Sequence, residues 1–441
     1  MSLSTILGSL GQSLDNPYIH WKYLVLGFSA AKYVFESYLT YRQYQVLKRE
    51  KPPQALESAV DQETFAKSQA YARAKSKFGV VSGLYEFALD SATLWFDALP
   101  KMWDLAGHVL TFVPVSFSSE IYQSVVLFLG YSFFSTLISL PVSVYSTFVL
   151  EAKFGFNKQT PSLFVSDMIK GQILGAVIGG PLIAVFLKIV NYFGATFFFY
   201  LFAFAVVFQL FMVTVFPIVI QPLFNKVTPM EDGKIKTEVE KLANQLRFPL
   251  QEVYQIDGSK RSAHSNAYFY GLPWKKRIVI YDTLIDKFQA EEIVAVLAHE
   301  LGHWSMSHTT RMFCVNQVYI FALFGLFSVF IDNSSLYQSF GFLTERPVVI
   351  GFILFNDILT PVNSLLQYGL SVLSRKFEYE ADAFAVKLNY AGDLSKALIK
   401  LHIQNLSTMD ADWLYSSYHY SHPTLLERLG ALGWQSEKKT E

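Results

Sequence analysis

The chain has 441 residues, of which 52% are hydrophobic and only 16% are charged, and its mean hydropathy is +0.28. Soluble globular proteins carry about 25% charged residues, so this composition argues against a string of soluble domains and indicates membrane spans. The 36 basic residues balance the 36 acidic ones, and we see no sign of a nucleic-acid partner. The single cysteine, Cys314, excludes an intramolecular disulfide and a cysteine-rich zinc site, so zinc would need His and carboxylate ligands.

Seven stretches are apolar and long enough to cross a bilayer, which takes roughly 20 residues per helix. They are 23–41, 80–99, 122–150, 173–193, 195–220, 312–331 and 348–373. Residues 1–16 lack the pattern of a cleavable signal peptide, so we expect the first span to direct the chain into the membrane.

Basic residues predict the orientation of these spans. The loop 42–77 contains eight Lys and Arg residues, and the positive-inside rule therefore places it in the cytosol. Alternate crossings then put the N-terminus in the lumen and the C-terminus in the cytosol. We divide the chain into spans one to five with their loops (1–220), a cytosolic catalytic region (221–311), spans six and seven (312–373) and a cytosolic C-terminal region (374–441).

Two spans contain polar side chains at helical spacing. The second has Glu86, Asp90 and Asp97, and the seventh has Asn356, Thr360, Asn363 and Gln367. Polar residues within spans either hydrogen-bond to neighbouring helices or face a bundle interior and a wet cavity. Two independent stripes favour the second interpretation and predict a water-filled space between the helices.

A metal site is indicated by His299 and His303, which are four residues apart and so project from one face of a helix. Glu300 points at a different angle and can reach a metal-bound water, which is the His-Glu-x-x-His arrangement of metallopeptidases. The alternative is a pair of histidines on a solvated helix face.

A catalytic zinc needs a third protein ligand, and Glu378 is our candidate. Spans six and seven form an even number of crossings, so they return Glu378 to the membrane face of His303. The alternative is that Glu378 and Glu380 are ordinary surface carboxylates.

Further motifs extend this pattern over most of the chain, at 151–158, 221–226, 264–268, 297–308, 378–382 and 421–428. In their order and spacing, the chain resembles the type I CAAX prenyl endopeptidases, which are seven-span zinc metallopeptidases. The resemblance implies cleavage after the prenylated cysteine of a C-terminal Cys-aliphatic-aliphatic-X sequence, with release of the last three residues.

The fold class expected is an all-α polytopic membrane protein. Its seven transmembrane helices would form a barrel around a water-filled chamber, and a cytosolic zincin-like region with a small β-hairpin would hold the catalytic site. One zinc ion per chain would bind at the cytosolic end of the chamber, and the partners would be farnesylated proteins or peptides and membrane lipid.

The resemblance also implies roles for individual residues. Zinc would be held by His299, His303 and Glu378, and Asp382 would orient a ligand histidine. Glu300 would act as the general base and His422 would stabilise the oxyanion, although His422 could instead be a turn histidine before Pro423. Arg428 would pair with Glu378 or another site carboxylate unless it is a solvated surface residue, and Arg375 would support the site.

The substrate would need an extended strand beside it. Asn266, Ala267 and Tyr268 belong to a β-prone run that forms a hairpin with 277–281, and its edge could pair with the substrate backbone. A purely structural hairpin is the alternative. The substrate's free carboxylate could be attracted by a cation, and the candidates are Lys226, Lys260, Arg261 and Arg277.

The C-terminal Lys438 and Lys439 resemble a dilysine retrieval signal, which together with the topology predicts the endoplasmic reticulum membrane or the inner nuclear membrane. A frayed charged tail is the alternative.

Three other functions remain open at this stage. A membrane quality-control protease for unprenylated or misfolded proteins would show similar metal motifs, and a site-2-type protease would place its His motif inside a span. A transporter or scaffold would use the carboxylates Glu86, Asp90 and Asp97 and would have no need for Glu300.

Overall fold

The computed structural model describes residues 3–112, 114, 119–272 and 274–435. Lys438 and Lys439 lie outside the described residues. Helices dominate the described parts of the chain, and one small sheet lies between the first five predicted spans and the last two.

The N-terminal part of the structure is helical throughout. Its helices are α1 (Leu3–Leu14), α2 (Trp21–Val46), α3 (Gln62–Trp95), α4 (Ala98–Leu110), α5 (Glu120–Val144), α6 (Pro161–Phe193), α7 (Phe197–Val215) and α8 (Gln221–Phe224). Two π-helical turns, Tyr145–Glu151 and Phe216–Ile220, extend α5 and α7.

The remaining elements build the sheet and the helices around it. They are β1 (Val227–Pro229), α9 (Lys234–Gln245), β2 (Leu250–Ile256), β3 (Ala267–Leu272), β4 (Lys275–Tyr281), α10 (Asp282–Lys287), α11 (Ala290–Ser305), α12 (His308–Phe330), α13 (Ser334–Ser339), α14 (Val348–Ile358), α15 (Thr360–Lys387), α16 (Ala391–Gln404), α17 (Trp413–His419) and α18 (Leu425–Ala431).

All seven predicted spans fall on helices, but the helices differ in how apolar they are. Three helical stretches in the described residues are long and apolar enough to cross a membrane: Glu120–Glu151, Pro161–Phe224 and His308–Phe330. A fourth would be formed by α14 and α15 together, which meet at a bend of 61°. The first predicted span lies within α2, and the second begins in α3 and runs past its end at Trp95 into α4; α2 and α3 are more polar than these stretches.

The stretch Pro161–Phe224 accounts for two of the predicted spans. At 1.5 Å per residue its 64 residues would extend about 96 Å, roughly three times the hydrocarbon thickness of a bilayer. Gly194 separates α6 from α7 with a φ of +50°, a left-handed conformation that glycine adopts without a Cβ clash. The two helices then pack against each other.

Cavities lie among the helices of the membrane half, as the polar stripes predict. One of about 700 Å³ is lined by Glu86, Asp90 and Thr360 among other residues. Another of about 370 Å³ is lined by Asn363 and Gln367, and a third of about 520 Å³ extends towards the sheet. Glu36 borders all three, so together we call them the chamber.

Two residues of the predicted polar stripes, Asp97 and Asn356, do not line the chamber. Asp97 follows the end of α3 with a φ of +50°, and its carboxylate pairs with Lys22 at 2.6 Å. Asn356 is on α14, across the bend from Thr360, and its amide donates to the Phe352 carbonyl at 2.7 Å. The prediction that these two residues belong to polar stripes was therefore wrong. The helix α3 ends at Trp95, before Asp97, and the 61° bend between α14 and α15 separates Asn356 from Thr360.

The predicted hairpin is confirmed as β3 and β4, which pair antiparallel from Ala267↔Ile280 to Leu272↔Lys275. The sequence did not predict that these strands belong to a four-stranded sheet with the order β1-β2-β4-β3, in which β2 and β4 are parallel. Because β3 is at the end of this order, one of its edges is available for another strand.

The core beneath the sheet fixes the helix that contains the His motif. Along α11, Ile293, Leu297 and Leu301 recur every four residues and are buried against the sheet and α16. Gly302 lets α15 approach α11, since a Cβ at this position would lie 3.2 Å from the Ala381 Cα. This close approach brings the His motif and the Glu378 segment together.

Candidate active site

The three predicted ligands meet between α11 and α15. The Nε2 atoms of His299 and His303 lie 3.2 Å apart. Glu378 Oε2 lies 3.4 Å from His299 Nε2, and Glu378 Oε1 lies 3.2 Å from His303 Nε2. A tetrahedral ion with metal–ligand bonds of about 2.0–2.2 Å would have ligand atoms about 3.3–3.6 Å apart, so the spacing fits one metal ion.

The ionisation of Glu378 between the two histidines also suits metal binding. Ligand atoms of His299, His303 and Glu378 all lie within 4.8 Å of one another. Glu378 Oε2 is buried and has no hydrogen-bond partner in the described structure. Burial alone would raise the pKa of Glu378, but contacts with His299 and His303 hold that pKa well below its usual range. A buried anion beside two imidazoles is a suitable cation site.

His299 is supported by an ion pair behind it. Its Nδ1 lies 2.8 Å from Asp382 Oδ1, and Asp382 receives two hydrogen bonds from Arg428, at 2.9 and 2.6 Å. Burial opposes ionisation of Asp382, but bonds from His299 and Arg428 outweigh it and lower its pKa. The carboxylate therefore holds hydrogen on His299 Nδ1 and leaves Nε2 for the metal.

His303 is supported by residues to which the sequence assigned no role. Its Nδ1 lies 3.0 Å from His308 Nδ1, and His308 Nε2 lies 2.9 Å from Glu380 Oε2. In the sequence, His308 was placed only within the motif 297–308, and Glu380 entered only in the alternative that it and Glu378 are surface carboxylates. The sequence does show a histidine five residues beyond His303. Its contact with His303 depends, however, on the break between α11 and α12, which residue spacing does not reveal.

Glu300 and His422 border a small cavity of about 200 Å³ together with His299 and Glu378, two of the three predicted ligands. His422 lies on the loop between α17 and α18, where its Nε2 is 3.3 Å from Glu378 Oε1 and its side chain is 62% exposed. Five further residues that line the cavity are apolar, and we call them the apolar wall: Leu284, Val296, Leu394, Leu398 and Leu401. The site therefore places a carboxylate, an imidazole and apolar side chains beside two of the predicted ligands.

The predicted substrate strand reaches this cavity only in part. Ala267, the first residue of β3, lines it, and so does Asn266, which precedes the strand. Tyr268 points elsewhere, since its hydroxyl accepts a hydrogen bond from Gln221 at 2.5 Å. Successive side chains along β3 point to opposite faces, so Tyr268 faces away from Ala267.

Several predicted cations are also placed away from the cavity. Arg375 donates to the Ser416 carbonyl at 3.3 Å and is not among the residues brought to the metal cluster. Arg261 forms a two-bond pair with Asp167, at 2.7 and 2.9 Å. Arg277 contacts Gln251 on the sheet, and neither Lys226 nor Lys260 borders the cavity within the described part of the chain.

This fold and site define a multi-pass membrane metallopeptidase, and comparisons with known proteins identify its family. Residues 43–226 match the family model described as CAAX prenyl protease N-terminal, five membrane helices, and residues 229–434 match that of peptidase family M48. The chain belongs to the CAAX prenyl protease family of M48 metallopeptidases, whose members depend on a metal cofactor.

The similarity extends over nearly the whole chain. CAAX prenyl protease 1 of Saccharomyces cerevisiae is 49% identical, over 97% of this chain and 98% of that protein. The Homo sapiens CAAX prenyl protease 1 homolog is 41% identical, over 92% and 94%. The crystal structure of S. mikatae Ste24p superposes with a TM-score of 0.89 at 48% identity, covering 95% of this chain and 100% of that one.

Proposed function

We propose that this enzyme is a zinc metalloendopeptidase that removes the last three residues from prenylated proteins ending in Cys-aliphatic-aliphatic-X. The observation that supports this most directly is the cluster of His299, His303 and Glu378, with Glu300 bordering the same cavity as His299 and Glu378. The substrate class is supported by relatives named CAAX prenyl protease 1, which align over almost their entire length.

The zinc ion would activate a water molecule and polarise the scissile carbonyl. Glu300 accepts the proton of the attacking water and returns it to the leaving amine. His422 donates a hydrogen bond to the oxygen on which negative charge develops, from its place at the mouth of the cavity. Asp382 keeps His299 in the tautomer that binds metal, and Arg428 fixes Asp382 in turn.

The apolar residues that line the cavity suit an aliphatic residue after the cut. Asn266 and Ala267 lie at the free edge of β3, where a substrate backbone can pair as an additional strand. The apolar wall that includes Val296 and Leu398 would bury the first aliphatic side chain of the released tripeptide. Burying a Leu or Ile side chain contributes about 1.5–3 kcal/mol, enough to favour aliphatic residues over polar ones at this position.

We further propose that 42–77, 221–311 and 374–441 face the cytosol, that the spans within 1–220 and 312–373 cross the membrane, and that the N-terminus lies in the lumen of the endoplasmic reticulum. The basic loop 42–77 supports this orientation. The boundary at 373/374 lies inside α15, so a continuous helix would connect the last span to Glu378. Lipid around the spans would keep a prenylated substrate close to the chamber.

The test uses purified full-length enzyme and a farnesylated Cys-aliphatic-aliphatic-X peptide, with mass spectrometry of the products. We expect the tripeptide to appear with wild type and to be absent with Glu300→Ala. The same peptide without its farnesyl group and an unfolded membrane protein serve as competing substrates. Cleavage of the unfolded protein without tripeptide release would replace this proposal with a quality-control protease.

A further inference from the structure

The two ligand histidines are held by different kinds of neighbour. His299 Nδ1 faces the Asp382 carboxylate directly, at 2.8 Å. His303 Nδ1 instead faces the imidazole of His308 at 3.0 Å, and the far nitrogen of His308 lies 2.9 Å from Glu380. We propose that His308 and Glu380 are positioning residues that orient His303 for metal binding through this chain of hydrogen bonds. The inference rests on the proposed metal site.

The arrangement of hydrogens permits only one direction along this chain. When His303 presents Nε2 to a metal, its Nδ1 carries the hydrogen and donates to His308 Nδ1. His308 then carries its own hydrogen on Nε2 and donates it to Glu380 Oε2. Without Glu380, His308 could adopt the other tautomer, and two N–H groups would face each other across 3.0 Å. Glu380 therefore controls the His303 contact although it does not touch His303.

The surrounding structure holds His308 in place. Only 2% of its surface is exposed, and its ring stacks on Phe377 at 4.2 Å with an angle of 6° between the planes. Ser307, between the end of α11 and the start of α12, has a φ of +56°, and this left-handed turn precedes His308, whose ring lies against His303. Glu380 lies on α15 with Glu378, so one helix supplies both the third ligand and the acceptor that orients the second.

Two substitutions of His308 separate an orienting role from a packing role. His308→Leu keeps much of the buried apolar contact with Phe377 but has no hydrogen-bonding atom. His308→Gln keeps an oxygen that can accept from His303 and an amide that can donate to Glu380. The readout is the zinc Kd of full-length enzyme, measured by competition with a chelator, together with the absorption spectrum of the Co²⁺-loaded protein.

We expect His308→Leu and Glu380→Ala to weaken zinc binding by about 10- to 100-fold, as loss of a partner behind a metal ligand typically does. His308→Gln should stay within a few-fold of wild type. Lys387→Ala, on the same helix as Glu380 but at its last turn, is the matched control and should leave the Kd unchanged.

Unchanged zinc affinity in His308→Leu would overturn the inference, as would an equal loss in the Leu and Gln variants. If His308→Leu does not fold, Glu380→Ala decides by the same criterion, because Glu380 is on the helix surface facing Lys376 and Arg311. If the wild-type enzyme itself does not bind zinc tightly, the proposed metal site is wrong. That result differs from tight and equal zinc affinity in wild type and variants, which would contradict only the positioning role of His308 and Glu380.

Discussion

The metal cluster and the chamber both contain polar side chains within a largely apolar protein, but they hold them differently. At the metal cluster each imidazole has a partner behind it, and Asp382 is 1% exposed and bonded twice to Arg428. In the chamber, Glu86 and Asp90 face a cavity of about 700 Å³. We infer that chemistry depends on fixed orientation at the cluster, whereas the chamber provides polar space that tolerates substitution.

The largest effect should come from Glu300, since the cluster cannot replace its proton transfer. We expect Glu300→Gln to lower kcat by about 10²- to 10⁴-fold while zinc remains bound, because Glu300 is not among the ligand atoms that meet at the site. Steady-state cleavage and metal content should be measured on the same sample. Retained activity with full metal content would contradict the general-base role.

A substitution of Asp382 tests whether metal binding depends on the fixed orientation of His299. Asp382→Asn should weaken zinc binding by about 10- to 100-fold, because the neutral amide no longer pairs with the buried Arg428 guanidinium. The matched control is Asp412→Asn, which breaks a similar pair with Arg42 at the start of α17. Equal zinc affinity in the two variants would show that the pair behind His299 is only structural.

The apolar wall should control which residue follows the cut. Leu398→Phe would fill part of the cavity and shift the preference towards smaller residues by about 1–3 kcal/mol, the range for size discrimination in an apolar pocket. Competing peptides that differ only in the first aliphatic residue would measure the ratio of kcat/KM. Leu388→Phe, packed against the same core but not bordering the cavity, should leave that ratio unchanged.

The smallest effect is expected in the chamber. Glu36→Gln changes a residue common to all three cavities, yet it should alter kcat/KM for a short prenylated peptide by less than about 0.5 kcal/mol, as for substitutions away from fixed networks. A loss of tenfold or more would mean that chamber carboxylates act on the substrate directly, and the contrast between the two regions would fail.

The sequence predicted best what depends on local spacing. His299 and His303 needed only the helical repeat, and the pairing of β3 with β4 needed only two β-prone runs around a turn. The prediction of Glu378 as the third ligand required one further step, because it assumed that two spans return this segment to the membrane face of His303. Family resemblance then supplied the substrate class, which no spacing in the chain could show.

The errors and omissions share a physical origin in helix ends and distant contacts. Asp97 does not continue the polar stripe of α3, because α3 ends at Trp95 and Asp97 itself has a left-handed backbone conformation. His308 was missed because its approach to His303 depends on the left-handed Ser307. Strand β2 was missed because it pairs in parallel with β4, a contact between residues far apart in sequence. Such features are fixed by tertiary packing and not by local pattern.

We propose that one metal ion is held by the cluster of His299, His303 and Glu378. Anomalous diffraction from crystals of the zinc-loaded enzyme, recorded at the zinc absorption edge, tests it most directly. We expect one strong peak at about 2.0–2.2 Å from His299 Nε2, His303 Nε2 and a Glu378 carboxylate oxygen. A peak among the chamber carboxylates, or none at the cluster in zinc-loaded crystals, would contradict this account.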